Sequence, residues 1–433
     1  MASIDTSVAG GLGELLKVLV PGKVEEQLFR ETPAVDLFER GSDSIELGGE
    51  EIQVRVKLGD SSGILASTTT TTGQDLPDEA PGAYDRMTIP YRRHIGTIGI
   101  PYEVLYRSEG NDKAQISFLQ AEIQGIKDKF RELLNRELHG DGTGTLATVS
   151  SFANGAPDTV TVDNTRRLSE GMVVDFIRSG AEVADAVDVS ISQVLGATTF
   201  YVTITGTPAS ADIIVMANSY NKATLGLAHF TALTGTVQGI ANRQNYRFLK
   251  SNLTQNNGGS GNAALSLIKL RIALTQHQTE RGKKPDYAIC QPDILDAYAH
   301  LLRGDIRYRQ TDVQRPWASG ADFQPGCEII TDPDATANQI IFVTKQDIGR
   351  GGTKEVVTPS GGKRESGLFK PLVIGGQHWR TKINSSTSKY QDVGQASYVS
   401  HFTLYGRRFN GLTVLTEVNG LSDGGYATMG GLA

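Results

Sequence analysis

Between Asn111 and His139 the apolar residues Ile116, Leu119, Ile123, Ile126, Phe130, Leu133 and Leu138 recur every three or four positions, with one final step of five. This spacing draws one apolar stripe along a helix, and at 1.5 Å per residue such a helix is about 42 Å long. In a chain of 433 residues, where one ordinary domain takes roughly 100–200, it calls for several cores or one elongated subunit of several parts. Asn111 and Asp112 are placed to cap its start, and Gly140 stands where a left-handed C-terminal residue belongs. Six acids and six bases over Arg107 to His139 balance each other, so the polar side is a mixed face and not a DNA-binding stripe. Gly125, mid-helix, costs about 1 kcal/mol against alanine. It reads as a bend, as a close approach of another backbone, or as plain drift.

The helix runs into LLNRELHGDGTG, Leu133 to Gly144, where His139, Asp141 and three glycines invite a catalytic or metal-binding reading. The loop lacks the lysine of a phosphate-binding loop, and it follows a helix where a dinucleotide motif must follow a strand. One histidine and one aspartate do not make a metal site, and an active site needs a base, an orienter and a charge stabiliser together. Termination of the helix and a switch into a different segment is the better account. The seven histidines form neither HExxH nor a CxxC-linked zinc pattern, GxSxG is absent, and GGSGN at 258–262 reads as a flexible linker. No metal, no cofactor and no enzymatic activity is expected.

The net charge of −6 argues against tight duplex binding, which depends on Lys and Arg neutralising phosphates. The first 29 residues lack a basic start and an uninterrupted apolar span of about 20, so neither a signal peptide nor a membrane helix is expected. Cys290 and Cys327 lie in separate strand-like runs and fit two buried thiols of a reducing compartment.

Along the chain, residues 1–45 read as an arm. EIQVRVKL alternates Ile52, Val54, Val56 and Leu58 with Gln53, Arg55 and Lys57, the period of a half-buried strand, and RMTIPYRRHIGTI is its expected partner. The segment between them, with its run of threonines, is far longer than the 2–5 residues usual for a hairpin loop, which leaves two readings, a disordered, solvated loop or one held by a neighbouring subunit. Arg55, Lys57, Arg92 and His94 would then form a basic face against acidic groups of an adjacent subunit. Residues 150–220 hold only short strand-like runs, as in a small β-barrel or sandwich, with eight acids against three arginines. An inserted, outward-facing domain fits that charge. From about 245 to 350 helices and strands alternate: a helix in AALSLIKLRIALTQHQTERG, a strand in DYAICQ, a helix opened by Pro292 and Asp293 and closed by Gly304, then a hairpin CEIITDPDATANQIIFVT. The tail, SYVSHFTLYGRRFNGLTVLTEVNG, returns to strands.

An arm, a long-looped hairpin, a long helix ending in LLNRELHGDGTG, an α/β region with CEIITDPDATANQIIFVT, and a closing strand region with YGRRFNG resemble, in that order, a major capsid protein of tailed bacteriophages. The resemblance implies an α+β chain of the Hong Kong 97-type capsid fold carrying an inserted small all-β domain. Its parts would be an N-terminal arm (1–45), an extended loop hairpin (46–106), a peripheral domain with its spine helix (107–145), the insertion (146–222), a mainly axial domain (223–370), and a return to the peripheral domain (371–433). It further implies hexamers and pentamers of an icosahedral shell that encloses double-stranded DNA without sequence-specific binding. A separate scaffold protein and a portal are the expected partners, a decoration protein is left open, and assembly is expected in the host cytoplasm with no membrane. The alternatives are an encapsulin-like nanocompartment and a β-rich adhesive or carbohydrate-binding protein.

Overall fold

The structure, a computed structural model, describes residues 32–39, 45–46, 51–59, 81–90, 92–101, 112–302, 322–324, 327–352, 370–371, 379–383 and 390–420. These fall into two compact units. One takes its described residues from Arg92–Thr224 and Glu355–His401, the other from Thr32–Tyr91, Leu225–Lys354 and Phe402–Ala433.

The first unit is built on α2, Asp112–His139. The middle of its apolar stripe lies on a sheet in which β4 (Arg93–Pro101) pairs antiparallel with the first part of β20 (Tyr390–Gly406). The short strands β18 (Lys370–Pro371) and β19 (Trp379–Ile383) also pair with β20. Ile123, Ile126 and Phe130 of the helix meet Ile98, Ala396 and Tyr398 of the sheet. Gly96 makes the fit: a Cβ there would stand 2.5 Å from the Phe130 ring, so only a residue without a side chain lets the helix lie this close.

The same unit contains a barrel. Its strands are β5 (Thr145–Ala153), β6 (Asp158–Val162), β7 (Val173–Arg178), β8 (Ala181–Glu182), β9 (Val189–Val194), β10 (Thr199–Val202) and β11 (Ile213–Met216). The order β11-β5-β6-β10-β9-β7 returns to β11, and every neighbouring pair is antiparallel. Such a ring closes only with an even number of strands, here six, and closure leaves no open edge to aggregate. Val160, Val162, Phe176, Phe200, Val202 and Ile214 fill it.

In the second unit, β2 (Glu51–Lys57) and β3 (Tyr84–Pro90) form a two-stranded ribbon. The expected long partner strand is therefore two strands. Its first part is β3, which ends at Pro90, and its second is β4, which begins at Arg93 and pairs with β20 and not with β2. The main sheet has the order β12-β21-β16-β13-β15-β14, from β12 (Asn252–Gln255), β13 (Tyr287–Cys290), β14 (Asp322–Gln324), β15 (Cys327–Thr331), β16 (Ile340–Val343) and β21 (Leu412–Thr416). The expected hairpin CEIITDPDATANQIIFVT is not one: β13 lies between β15 and β16, parallel to the first and antiparallel to the second. Sequence proximity favoured a direct pairing, but α5 (Pro292–Leu302) is the crossover that makes β13 and β15 parallel neighbours.

After the short helix α3 (Leu227–Thr231), helix α4 spans Leu267–Arg281, shorter than its apolar run suggested, and ends on Gly282 in the left-handed region at φ 76°. Leu270, Leu274, Ile294 and Tyr298 pack from these helices onto Ala288, Cys290, Ile340, Phe342 and Leu415. Part of the expected arm is a short helix, α1 (Pro33–Glu39), whose buried Ala34 and Val35 belong to a turn packed near β15 and β17 (Ile348–Gly352). β1 (Ile45–Glu46) pairs with β17, which pairs with the last part of β20. Residues 1–31, the threonine run, Asn111 and Gly304 lie outside the described residues.

Candidate functional site

The HGDGTG loop is consumed by its own backbone. Asp141 Oδ1 accepts hydrogen bonds from the Thr143 N–H (2.9 Å) and the Thr143 hydroxyl (2.5 Å), the short-range turn that aspartate makes after a helix. Gly140 closes the helix with a bond from its N–H to the Glu137 carbonyl (3.0 Å). The left-handed glycines are Gly142 (φ 97°) and Gly144 (φ 83°), so the helix ends at His139 as its pattern suggested, but Gly140 is not the left-handed residue expected there. The Asn221 N–H then donates to the Thr143 carbonyl (3.0 Å), and the chain leaving the barrel meets the chain entering it. His139 is buried.

Of the four expected contact residues, the structure joins two. Arg55 and Lys57 lie on the exposed face of β2, opposite Arg86 and Tyr84 of β3. The other face carries Val54, Met87 and Ile89, and Val54 and Ile89 pack against Tyr405. Two guanidinium groups directly opposite one another are unfavourable by themselves. Arg86 also donates to Gln53 Oε1 (3.0 Å). Arg86 falls on the polar side of β3 by its alternation with Met87 and Ile89, and the register sets it opposite Arg55.

Arg92 and His94 are not on this face. His94 sits on β4, side chain largely buried, with its Nε2 2.8 Å from Glu137 Oε2 near the end of α2. The same oxygen accepts the Thr224 N–H at 2.9 Å. Glu137 therefore ties sheet, helix and barrel exit together within one unit, a structural task. Gly125 is open: a Cβ there would meet nothing within 4 Å, so among the described residues none approaches it closely.

Buried polar groups in the second unit support the fold. His277 is fully buried on α4, its Nδ1 3.2 Å from the Thr413 hydroxyl and its Nε2 3.0 Å from that of Thr344. Burial, aided by the positive charge of Arg281, pushes its pKa down to about 4. Arg281 in turn donates from Nε to Asp347 Oδ2 at 2.6 Å. Burial pushes the Cys290 thiol up to about 12, which leaves it an unreactive packing group. Among the described residues no three His, Cys, Asp or Glu side chains converge into a metal-holding group. No helix among them is long and apolar enough to cross a membrane.

No family model matches the sequence, and no curated protein matches it. The structure is similar to the capsid asymmetric unit of cyanophage A-1(L), with a TM-score of 0.54, 13% identity, and coverage of 96% of this chain and 99% of that one. It also aligns with the capsid of a native GTA particle (TM-score 0.49, 13% identity, 96% and 100% covered). A further match is the SrpI encapsulin of Synechococcus elongatus (TM-score 0.45, 9% identity, 94% and 95% covered). The first of these likenesses establishes that the fold is that of a phage capsid subunit.

Proposed function

We propose that this chain, built on the fold of a phage capsid subunit, is a major capsid protein whose copies assemble into an icosahedral shell around a double-stranded DNA genome. The observation that carries the reading is the match to the cyanophage capsid subunit over nearly the whole length of both chains. In this reading α2 is the spine helix of a peripheral domain, the six-stranded sheet of the second unit belongs to an axial domain, the ribbon β2–β3 is the root of an extended loop, and the barrel is an insertion. The chain acts as a wall and not as a catalyst. Its mild negative charge suits a container that confines DNA without clasping it. Hexamers and pentamers, a separate scaffold, a portal and a decoration protein complete the proposed assembly, with the virion as destination.

The ribbon's outward face, Arg55 and Lys57 joined by Arg86, lies in this proposal against carboxylates of an adjacent copy. Arg92 and His94 drop out of that surface because they lie outside the ribbon, Arg92 just ahead of β4 and His94 on it, where His94 meets Glu137.

Size-exclusion chromatography and negative-stain microscopy of the overexpressed chain, alone and with the products of neighbouring genes, test the function. Particles in the megadalton range are expected. A soluble monomer under all these conditions overturns the reading, and particles whose native cargo is a protein in place of DNA redirect it to a nanocompartment.

A further inference from the structure

The glycine-rich run GGSGN at 258–262, expected as a flexible linker, is tied down at both ends. Before it, the buried Asn256 donates from Nδ2 to the carbonyls of Ala263 (3.2 Å), Ala264 (2.8 Å) and Glu417 (3.3 Å), and its Oδ1 accepts the Ser266 N–H (3.1 Å). After it, the Ala263 N–H donates to the Glu417 carbonyl (3.0 Å) and the Asn419 N–H to the Ala263 carbonyl (2.8 Å). Between these anchors one carboxylate gathers the turn: Glu417 Oε2 accepts the N–H groups of Asn257 and Gly259, each at 3.0 Å. Gly258 lies between them in the left-handed region at φ 66°. Among the described residues its N–H has no hydrogen-bond partner, and residues 257–261 are exposed.

An asparagine followed by glycine can lose its side-chain amide without a catalyst, because the glycine nitrogen reaches the asparagine Cγ with no side chain in its way. The chain has four such pairs: Asn154–Gly155, Asn257–Gly258, Asn410–Gly411 and Asn419–Gly420. The surroundings of each glycine nitrogen separate them. The Gly155 N–H donates to Asp158 Oδ1 (2.9 Å), and this charge-assisted bond must break before the nitrogen can attack. Gly411 and Gly420 are buried, away from the solvent base and water that the reaction requires. Of the four, Asn257–Gly258 alone combines an exposed backbone with a glycine N–H that no other described group holds.

We propose that Asn257 is a site of spontaneous deamidation through a cyclic imide with Gly258, and that the reaction releases this loop from Glu417. Solvent base takes the proton of the Gly258 N–H, and the nitrogen attacks Asn257 Cγ to form an N–Cγ bond. The Cγ–Nδ2 bond breaks, and its electron pair leaves with the amide nitrogen, which takes up a proton from water as ammonia. Water then opens the imide. Breakage of the new N–Cγ bond leaves aspartate, whereas breakage of the original peptide bond leaves isoaspartate, with the main chain routed through Cβ and Cγ and longer by one atom. Both products work against the loop. Nδ2, which donates to the Gly261 carbonyl (3.1 Å), is replaced by an oxygen that cannot donate, and a second carboxylate appears in the turn that Glu417 gathers. In isoaspartate the extra atom also falls between the two N–H groups that share Glu417 Oε2, so the spacing that brings both to one oxygen is lost. The inference stands apart from the shell function, since it needs only the folded subunit.

The test follows the full-length soluble subunit through incubation at neutral and at alkaline pH, with peptide mass spectrometry and enzymatic methylation of isoaspartate as readouts. Conversion of amide to carboxyl is expected in the peptide containing Asn257, about tenfold faster than at Asn154, the ratio that one hydrogen bond to a charged group imposes. It should accelerate with rising pH and be absent at this position from Asn257→Gln. A persistent amide at Asn257, or loss at Asn154 at the same rate, overturns the assignment. Limited proteolysis reads the release. Cleavage within residues 257–262 is expected to rise with the isoaspartate content of the wild-type protein and to stay constant in Asn257→Gln. Cleavage that is unchanged by the modification, or that rises equally in Asn257→Gln, overturns the release from Glu417.

Discussion

At the scale of single residues, the structure separates groups that resemble catalytic equipment from the tasks they perform. His277 is the sharpest case, since its two ring nitrogens meet threonine hydroxyls and its pKa is pushed down to about 4, chiefly by burial and secondarily by Arg281. Above pH 6.5 the ring is neutral in both folded and unfolded chains, so it makes no pH-dependent contribution. As pH falls from about 6.5 to about 4 the unfolded chain takes up a proton that the folded one refuses, and stability declines by roughly 3 kcal/mol from this residue. Urea unfolding of the soluble subunit between pH 7 and 4.5 should show a shallower loss in His277→Gln than in the wild type; equal slopes would assign the acid sensitivity elsewhere. Gly125 makes the opposite kind of case. Because open space surrounds its missing Cβ, Gly125→Ala should stabilise the subunit by about 1 kcal/mol and raise its Tm by several degrees in calorimetry. A lower Tm would show that another part of the subunit approaches the helix at this point, whereas a more stable subunit that assembles poorly would identify bending of the helix as the glycine's use.

At the scale of elements, what periodicity governs was readable and what pairing governs was not. The stripe from Ile116 to Leu138 needs only i, i+3 and i+4 neighbours, so α2 could be drawn from the sequence to within a residue of Asp112–His139. The polar and apolar faces of β2 follow equally well from alternation. Strand partners depend on residues far away in the chain: nothing local in RMTIPYRRHIGTI announces that its second half pairs with residues 393–401, or that β13 inserts between two strands joined by a short turn. The candidate surface was half legible for the same reason. Arg55 and Lys57 were in view, Arg86 needed the register, and Arg92 and His94 were assigned by a strand continuity that does not exist. The ribbon's role is checked by reversal of Arg55, Lys57 and Arg86 to glutamate together. Each exposed charge contributes about 0–1 kcal/mol, so single changes should assemble normally while the triple variant accumulates unassembled subunits, the small losses being repeated in every copy. Wild-type particle yield from the triple variant would remove the ribbon's basic face from the assembly scheme.

At the scale of the whole molecule, the barrel's excess of five acids sets its proposed direction, outward and away from packaged phosphate. The turn at Leu195–Thr198 is exposed, and a Cβ on Gly196 would meet nothing within 4 Å. A peptide tag inserted after Gly196 should therefore leave folding intact and bind its antibody on sealed particles; binding only after the shell is broken would put the barrel inside. The hydrogen bond between Asn221 and Thr143 carries a wider consequence. A module whose two ends lie one peptide's width apart imposes no spacing on its host, and a closed ring of strands asks its host for no edge to complete. The chain thus contains a socket: other self-contained domains with adjacent termini can be exchanged at this position, and the rest of the subunit need not change its sequence to accommodate them.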